Sequence, residues 1–419
     1  MMSFNNFLEC RLLGIVVAAI LCVSCGGGGG TTSAAVTTAS LSPVSVSTES
    51  NVVAITVDSG PAGTGYNANR LYTSVTICQP GSTAVCQTID YVLVDTGSVG
   101  LRLLNSAVAA NLNLVSQTAA GGLPLLNCAQ FVDNTFAWGP VVTADVSLGA
   151  KRASSVPIQL IADPAFSHLG ASCSTSGTAL TSAAVLGANG ILGVGLFQQD
   201  CGQRCTSTLA NGYYFTCFNS SCAATARTTA SISKQVKNPV PLFASDNNGV
   251  LIDLPAVSNS GATSVTGAMI FGIGTRSNNQ VSSSSVLTTS SSGTITTVFS
   301  GRQLTDSYLD TGSNGLYFDT TLLPGCSGNA SGFYCPPSLT NLTANLVGAN
   351  GISMPVTFAV DNALNLFAGV ANVVLPTLAG SIGSARTFDW GLPFFFGRRV
   401  AFGIDGQSSS LGTGPFYAF

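Results

Sequence analysis

Two segments of the 419-residue sequence repeat one pattern of chemically capable residues. Tyr91 to Leu101 reads YVLVDTGSVGL, and Ser307 to Leu316 reads SYLDTGSNGL. Each runs from an apolar stretch into Asp-Thr-Gly-Ser, one further residue and Gly-Leu. Asp95 and Asp310 lie 215 residues apart (310 − 95), so each half is about one domain long. A given tetrapeptide arises by chance in such a chain on the order of a few hundredths of a time. Two copies with matching flanks therefore mark an internal repeat. One copy alone would read as a β-turn capped by its own aspartate. The chemistry open to carboxylates in matched settings is general acid–base catalysis. Histidine chemistry is nearly closed, because the chain has 1 His. That residue, His168, has no acidic or cysteine neighbour in sequence and reads as a loop or core residue.

With these residues the sequence resembles the pepsin-like aspartic proteases, the pepsin and retropepsin type. That family has two similar β lobes, each giving one Asp-Thr-Gly loop to a shared cleft. The resemblance implies that Asp95 and Asp310 form a catalytic dyad. Carboxylates about 3 Å apart cannot both ionise, so they share a proton. One activates a bound water and the other protonates the substrate carbonyl oxygen. No metal, cofactor or covalent intermediate is needed. Gly97 and Gly312 would allow the tight turn and leave room beside the carboxylates. By resemblance, Thr96 and Thr311 would reach across to the opposite loop, and Ser98 and Ser313 would hydrogen-bond the outer carboxylate oxygens.

Further segments match in chain order. Ile191-Leu192-Gly193 is similar to the segment that crosses beneath the first Asp loop. Trp390-Gly391, within FDWGLPFFFGRRVAFGID, is similar to its counterpart in the second half, with Asp389 at a position the family fills with an apolar residue. Met269-Ile270-Phe271-Gly272 resembles the strand that opens the second lobe. Trp138-Gly139 is the candidate for the flap over the cleft, where its indole N–H would donate to a substrate. A core or hairpin Trp is the alternative reading. Arg102 stands where the family often has an aromatic residue. Residues 25–48 hold no Lys or Arg, unlike the family's basic prosegments. The resemblance spans roughly residues 50–419.

The elements that must position these residues read as β. Segments rich in Val, Ile, Thr and Phe are broken by Gly, Asn, Asp and Pro: Val52–Val57, Leu71–Cys78, Ile89–Val94, Val141–Leu148, Val156–Ile161, Ala268–Ile273, Thr294–Phe299 and Val356–Val360. Helical periodicity is weak, with Ser106–Leu114 the best short candidate. After Cys25 the strong helix formers Glu and Lys are nearly absent, with Glu49 and three lysines remaining. The expected fold is all-β and bilobal, a pepsin-like acid protease fold with two pseudo-symmetric β-barrel lobes around a cleft. The expected divisions are a signal peptide at 1–24, a tether at 25–48, an N-terminal lobe at 49–245 and a C-terminal lobe at 246–419.

Composition bounds the partners. Charged residues make up 7% and the net charge is −3, which excludes a basic nucleic-acid footprint. Hydrophobic residues make up 46%, enough for a core and against charge-driven disorder. Gly272-Ile273-Gly274 lacks the third glycine and the βαβ setting of a dinucleotide site, and Arg398-Arg399 is too short a run to bind polyanions.

Leu12 to Ser24 is apolar but too short to span a membrane, and it fits a signal-peptide core. Cys25 follows Ser24 and precedes a Gly-rich and Ser/Thr-rich tract. This resembles a bacterial lipoprotein signal, with Cys25 as the lipid anchor and the tract as its tether. An ordinary secretory signal is the alternative. Gly rather than Asp after the cysteine implies an outer-membrane destination in the cell envelope. Of 13 Cys, removing Cys10, Cys22 and Cys25 leaves an even ten, which in an oxidising compartment suggests up to five disulfides. Cys78–Cys86 and Cys326–Cys335 read as local loops, and Cys128 and Cys173 remain as a pair. Cys201, Cys205, Cys217 and Cys222 could bind zinc, but two nested disulfides suit an exported chain better.

The expected function is an aspartic endopeptidase, a monomer that cuts extended peptides or protein substrates. The alternative is a non-catalytic surface lipoprotein of the same fold that binds a peptide or protein in its cleft.

Overall fold

The computed structural model describes residues 47–419, except 171, 174–176, 210–211, 220–221, 282–285 and 370. The expected signal segment, Cys25 and all but the last two residues of the tether lie outside the described residues.

The chain is all-β. The expected strands Val52–Val57 and Leu71–Cys78 form with those bounds, and Ile89–Val94, Val141–Leu148 and Val156–Ile161 form inside longer strands. Alternation drives this: in Ile295–Phe299 every second side chain is buried, the period-2 pattern of a strand with one face on a core. The expected helix at Ser106–Leu114 is instead two 3₁₀ turns, Asn105–Ala107 and Ala110–Leu112, with extended backbone at Val108 between them. Neither turn has a side-chain N-cap bond, so nothing offsets the cost of nucleating a longer helix.

Strands from the two ends and the middle of the chain form one antiparallel series. Leu71–Cys78 pairs with Val52–Val57, which pairs with Val265–Phe271, then Gly249–Leu254, Arg398–Gly403, Phe416–Ala418 and Val286–Thr288. A buried ion network stands near the middle of the chain. Asp246 accepts from Lys151, from Arg276 Nε at 3.0 Å and from Thr275 Oγ1 at 2.6 Å. Burial opposes ionisation of this carboxyl, but the donors from Arg276, Lys151 and Thr275 outweigh it and hold its pKa down at about 2.

The second half also builds its own seven-stranded sheet, in the order Ser353–Val360, Thr340–Val347, Ile295–Phe299, Arg302–Leu309, Phe388–Trp390, Leu316–Phe318 and Ala379–Gly380. Its core is aromatic. Phe388 stacks on Trp390 at 4.0 Å and on Phe318 at 4.5 Å between ring centroids. The Trp390 indole N–H donates to Thr297 Oγ1 at 2.9 Å.

Five disulfides are present among the described residues: Cys78–Cys86, Cys128–Cys173, Cys201–Cys205, Cys217–Cys222 and Cys326–Cys335. The four-cysteine cluster is therefore two small consecutive loops, and not two nested bridges or a zinc site. The strand Tyr214–Cys217 separates the two loops, so each bridge closes locally.

Candidate active site

Each Asp-Thr-Gly-Ser segment is the turn between two strands, and a third strand is inserted between them. In the first half Gly190–Val194 runs parallel to Cys86–Asp95, with Gly193 opposite Asp95, and antiparallel to Val99–Leu104. In the second half Phe388–Trp390 runs parallel to Arg302–Leu309 and antiparallel to Leu316–Phe318. Glycine at the end of each inserted strand is required by contact. A Cβ on Gly193 would lie 2.6 Å from the Val99 backbone, and one on Gly391 would lie 2.1 Å from Gly315 O. The segments Ile191-Leu192-Gly193 and Trp390-Gly391 thus support the two turns from equivalent places.

The structure brings the two turns together. Thr96 N–H donates to Thr311 Oγ1 at 3.1 Å, and Thr311 N–H donates to Thr96 Oγ1 at 2.9 Å. Each threonine hydroxyl then donates to the opposite strand, Thr311 to Val94 O at 2.8 Å and Thr96 to Leu309 O at 3.4 Å. These bonds cross between residues more than 200 apart in sequence and fix the register of one half on the other.

Asp95 and Asp310 are both buried, 4% and 7% exposed. Asp95 Oδ1 accepts from Gly97 N at 2.9 Å and Ser98 N at 3.1 Å, and its Oδ2 accepts from Ser98 Oγ at 2.6 Å. Asp310 Oδ1 accepts from Gly312 N at 2.7 Å, and its Oδ2 accepts from Ser313 Oγ at 2.8 Å. Gly97 N also donates to Asp310 Oδ1 at 3.1 Å, so one N–H bridges the two carboxyl groups. A Cβ on Gly97 would lie 2.5 Å from Asp310 Cγ, and one on Gly312 would lie 2.7 Å from Asp95 Oδ1. Both glycines are needed because the opposite carboxyl group occupies that space.

The electrostatics follow from this packing. Burial, then the adjacent Asp310 charge, push Asp95 up to about 7, against the donors Ser98 and Gly97. A cavity of about 340 Å³ opens over the two carboxyl groups, lined by both turns, Gln130–Val132, Phe197, Tyr213, Gly293, Tyr308 and Tyr417.

The hairpin over this cavity corrects one expectation. Trp138 and Gly139 do not line it. Trp138 is 6% exposed, its indole N–H donates to Phe166 O at 2.7 Å, and it packs edge-on against Phe215. It sits in a cluster with the Cys128–Cys173 and Cys217–Cys222 bridges. That apolar cluster claims Trp138, while the hairpin tip lies further out at Phe131–Asn134, between strands Leu125–Gln130 and Thr135–Leu148. Gly139 lies so near the neighbouring strand that a Cβ would be 1.8 Å from Leu160 O, a packing role. The Asp133-Asn134 pair between two apolar runs was the signal that could have found the tip.

The role of Arg102 was not legible in the sequence. It lines the cavity and is 3% exposed. Its guanidinium pairs with Asp200 at 3.0 Å and donates to Asn127 Oδ1 at 2.5 Å and Gln159 Oε1 at 2.6 Å. Tyr214 donates to the other Asp200 oxygen at 2.6 Å. This buried network ties the first turn to the base of the hairpin where an aromatic residue was expected by resemblance. Cys25 lies outside the described residues.

Residues 47–419 match the family described as Protein of unknown function (DUF3443), and the chain belongs to that family. No curated protein matches the sequence. Among solved structures, the aspartic proteinase from Irpex lacteus is similar, with 14% sequence identity and a TM-score of 0.48, covering 88% of this chain and 96% of that one.

Proposed function

We propose that this family member is an aspartic endopeptidase with a pepsin-like bilobal fold, hydrolysing extended peptides with a water activated between Asp95 and Asp310. The single observation that carries this reading is the Gly97 N–H shared by two buried carboxyl groups from separate halves of the chain. Two such groups hold one proton between them. Asp95, pushed up to about 7, keeps that proton and gives it to the carbonyl oxygen of the scissile bond. Asp310 accepts a proton from the attacking water. Extended substrate would lie in the cavity beneath Phe131 and Val132, whose apolar side chains favour apolar residues beside the cut.

The same reading keeps the halves 49–245 and 246–419 as lobes, the chain as a monomer, and Cys25 as a lipid anchor in the cell envelope, at the outer membrane. The test is cleavage of a mixed peptide library by the purified protein between about pH 3 and 7, with and without a statine-type inhibitor, which mimics the tetrahedral intermediate of this chemistry. Inhibitor-sensitive cleavage that fades as the pH rises through about 7 is expected. A folded protein with all five disulfides that cleaves nothing would leave the peptide-binding alternative.

A further inference from the structure

Asp389 is the residue that broke the expected apolar pattern, and the site described so far does not use it. It is 2% exposed. Strand alternation separates it from its neighbours: Phe388 and Trp390 enter the aromatic core, and Asp389 turns the other way, under the second Asp turn. There its Oδ2 lies 2.6 Å from Ser313 Oγ, and Ser313 Oγ lies 2.8 Å from Asp310 Oδ2. Ser313 is fully buried. The other oxygen of Asp389, Oδ1, is buried without a hydrogen-bond partner among the described residues.

A hydroxyl carries one proton. Ser313 can donate to one of its two carboxyl neighbours and must accept from the other, so one of the two carboxyls is protonated on the oxygen facing the serine. Asp310 has two backbone N–H donors on Oδ1, from Gly312 and Gly97, which suit a carboxylate. Asp389 has no backbone donor among the described residues and no ion pair there. Among the described residues, the titratable groups that face it are acids: Asp310 and Asp95 from the two turns, Tyr308 and Tyr317 from the flanking strands, and Tyr417 from the C-terminal strand. An unpaired buried carboxylate is far costlier than the neutral acid. Burial, then the Asp310 charge, accordingly push Asp389 well above the usual carboxylate range.

We propose that Asp389 is a third carboxyl group of this site, held as the neutral acid, which donates to Ser313 so that Ser313 donates to Asp310 and keeps Asp310 the ionised member of the pair. The inference rests on the dyad reading above. Asp389 is a positioning residue: it acts on Asp310 through Ser313. Among the described residues the first half has no such group. Ile191 takes the equivalent place, two residues before the glycine of the inserted strand and opposite Leu93, as Asp389 is opposite Tyr308. The chain of donors therefore runs to one carboxyl group only, which breaks the symmetry of the pair and leaves the shared proton on Asp95.

Two measurements test this. The first is infrared difference spectroscopy on the Asp95→Asn protein near pH 7, which removes the shared proton from the comparison. A protonated-carboxyl C=O band is expected in D95N and is lost in D95N with D389N. If that band is absent from the difference, or is lost with Asp310→Asn instead, the proposal is wrong. Should D389N fail to fold, Ser313→Ala in D95N reads the same link: the band persists and shifts because the acid loses its acceptor, and an unshifted band overturns the proposal. The second measurement is the pH profile of kcat/KM. Asp389→Leu should move the acid-side midpoint up by about half to one unit, the effect of weakening one donor to a carboxylate, and Asp389→Asn, whose amide still donates to Ser313, should restore it. Profiles that coincide for D389L and wild type overturn the proposal. If the wild-type protein cleaves no peptide, the endopeptidase reading falls and the infrared result still decides the state of Asp389. If it cleaves peptides and the band is missing, the Asp389 inference falls alone.

Discussion

The turns around Asp95 and Asp310 match through the serine and diverge one step further out. Both carboxyl groups accept a backbone N–H from the glycine two residues on and a hydroxyl from the serine three residues on. In the first turn Gly97 is exposed, and Ser98 and Val99 are half-buried. In the second turn Thr311 to Gly315 are all buried, and Asp389 stands behind the serine. The pair is symmetric in its framework and asymmetric in its surroundings. This teaches that a repeated motif can fix where two acids sit while its non-repeated neighbours decide how deeply each is buried and what stands behind it.

The glycines break the comparison most strongly. A side chain at either Gly97 or Gly312 would overlap the opposite carboxyl group. Gly97→Ala and Gly312→Ala should each lower kcat/KM about 10²-fold or more, the effect of a misplacement near 1 Å. Gly312→Ala should also lower the melting temperature, because its turn is buried and cannot shift outward as the first one can. Equal thermal stability of the two variants would show that the surroundings do not differ as described.

The next effect is on stability. Asp95 is raised in the folded state, so relative to the unfolded chain it binds a proton between about pH 4 and about pH 7. Its contribution is full below that window and is lost as the pH rises through about 7. Asp95→Asn should therefore stabilise the protein at neutral pH by roughly a few kcal/mol, with little gain near pH 4. Denaturant unfolding at both pH values checks this, and an equal change at both would contradict it.

The cross-turn threonines should differ by less. Thr311 makes the shorter bond to the opposite strand, 2.8 Å against 3.4 Å for Thr96. Thr311→Ala should cost about 1–3 kcal/mol, and Thr96→Ala less. The serines come last. Ser98→Ala should change the pH profile less than Ser313→Ala, because solvent can reach the half-buried first serine, and the second serine also carries the link to Asp389.

Much of this site was legible in local residues. The two turns were readable because Asp, Thr, Gly and Ser each do a job that few other residues can do at that place. The strands were readable from alternation, and the inserted segments by resemblance, at Ile191-Leu192-Gly193 and Trp390-Gly391. What was not legible depended on distant partners. Trp138 looked like a residue for the cleft, but a disulfide-bridged cluster assembled from Cys128, Cys173, Phe215 and Cys217 buries it. The pairing within Cys201–Cys222 depended on a strand that runs between the two bridges. Asp389 was visible as an oddity. Its meaning needed Ser313, which is brought against it only when the second sheet forms.

The most direct test of the central claim is a double-mutant cycle on the pair itself, measuring kcat/KM for peptide cleavage near pH 5 by the wild type, Asp95→Asn, Asp310→Asn and the double variant. Groups that act as one unit are not additive. The expected result is that each single change lowers cleavage on the order of 10³-fold or more, and that the double variant is no worse than either. A single variant that cleaves at the wild-type rate, or losses that multiply in the double variant, would contradict a shared-proton pair built from the two halves of the chain.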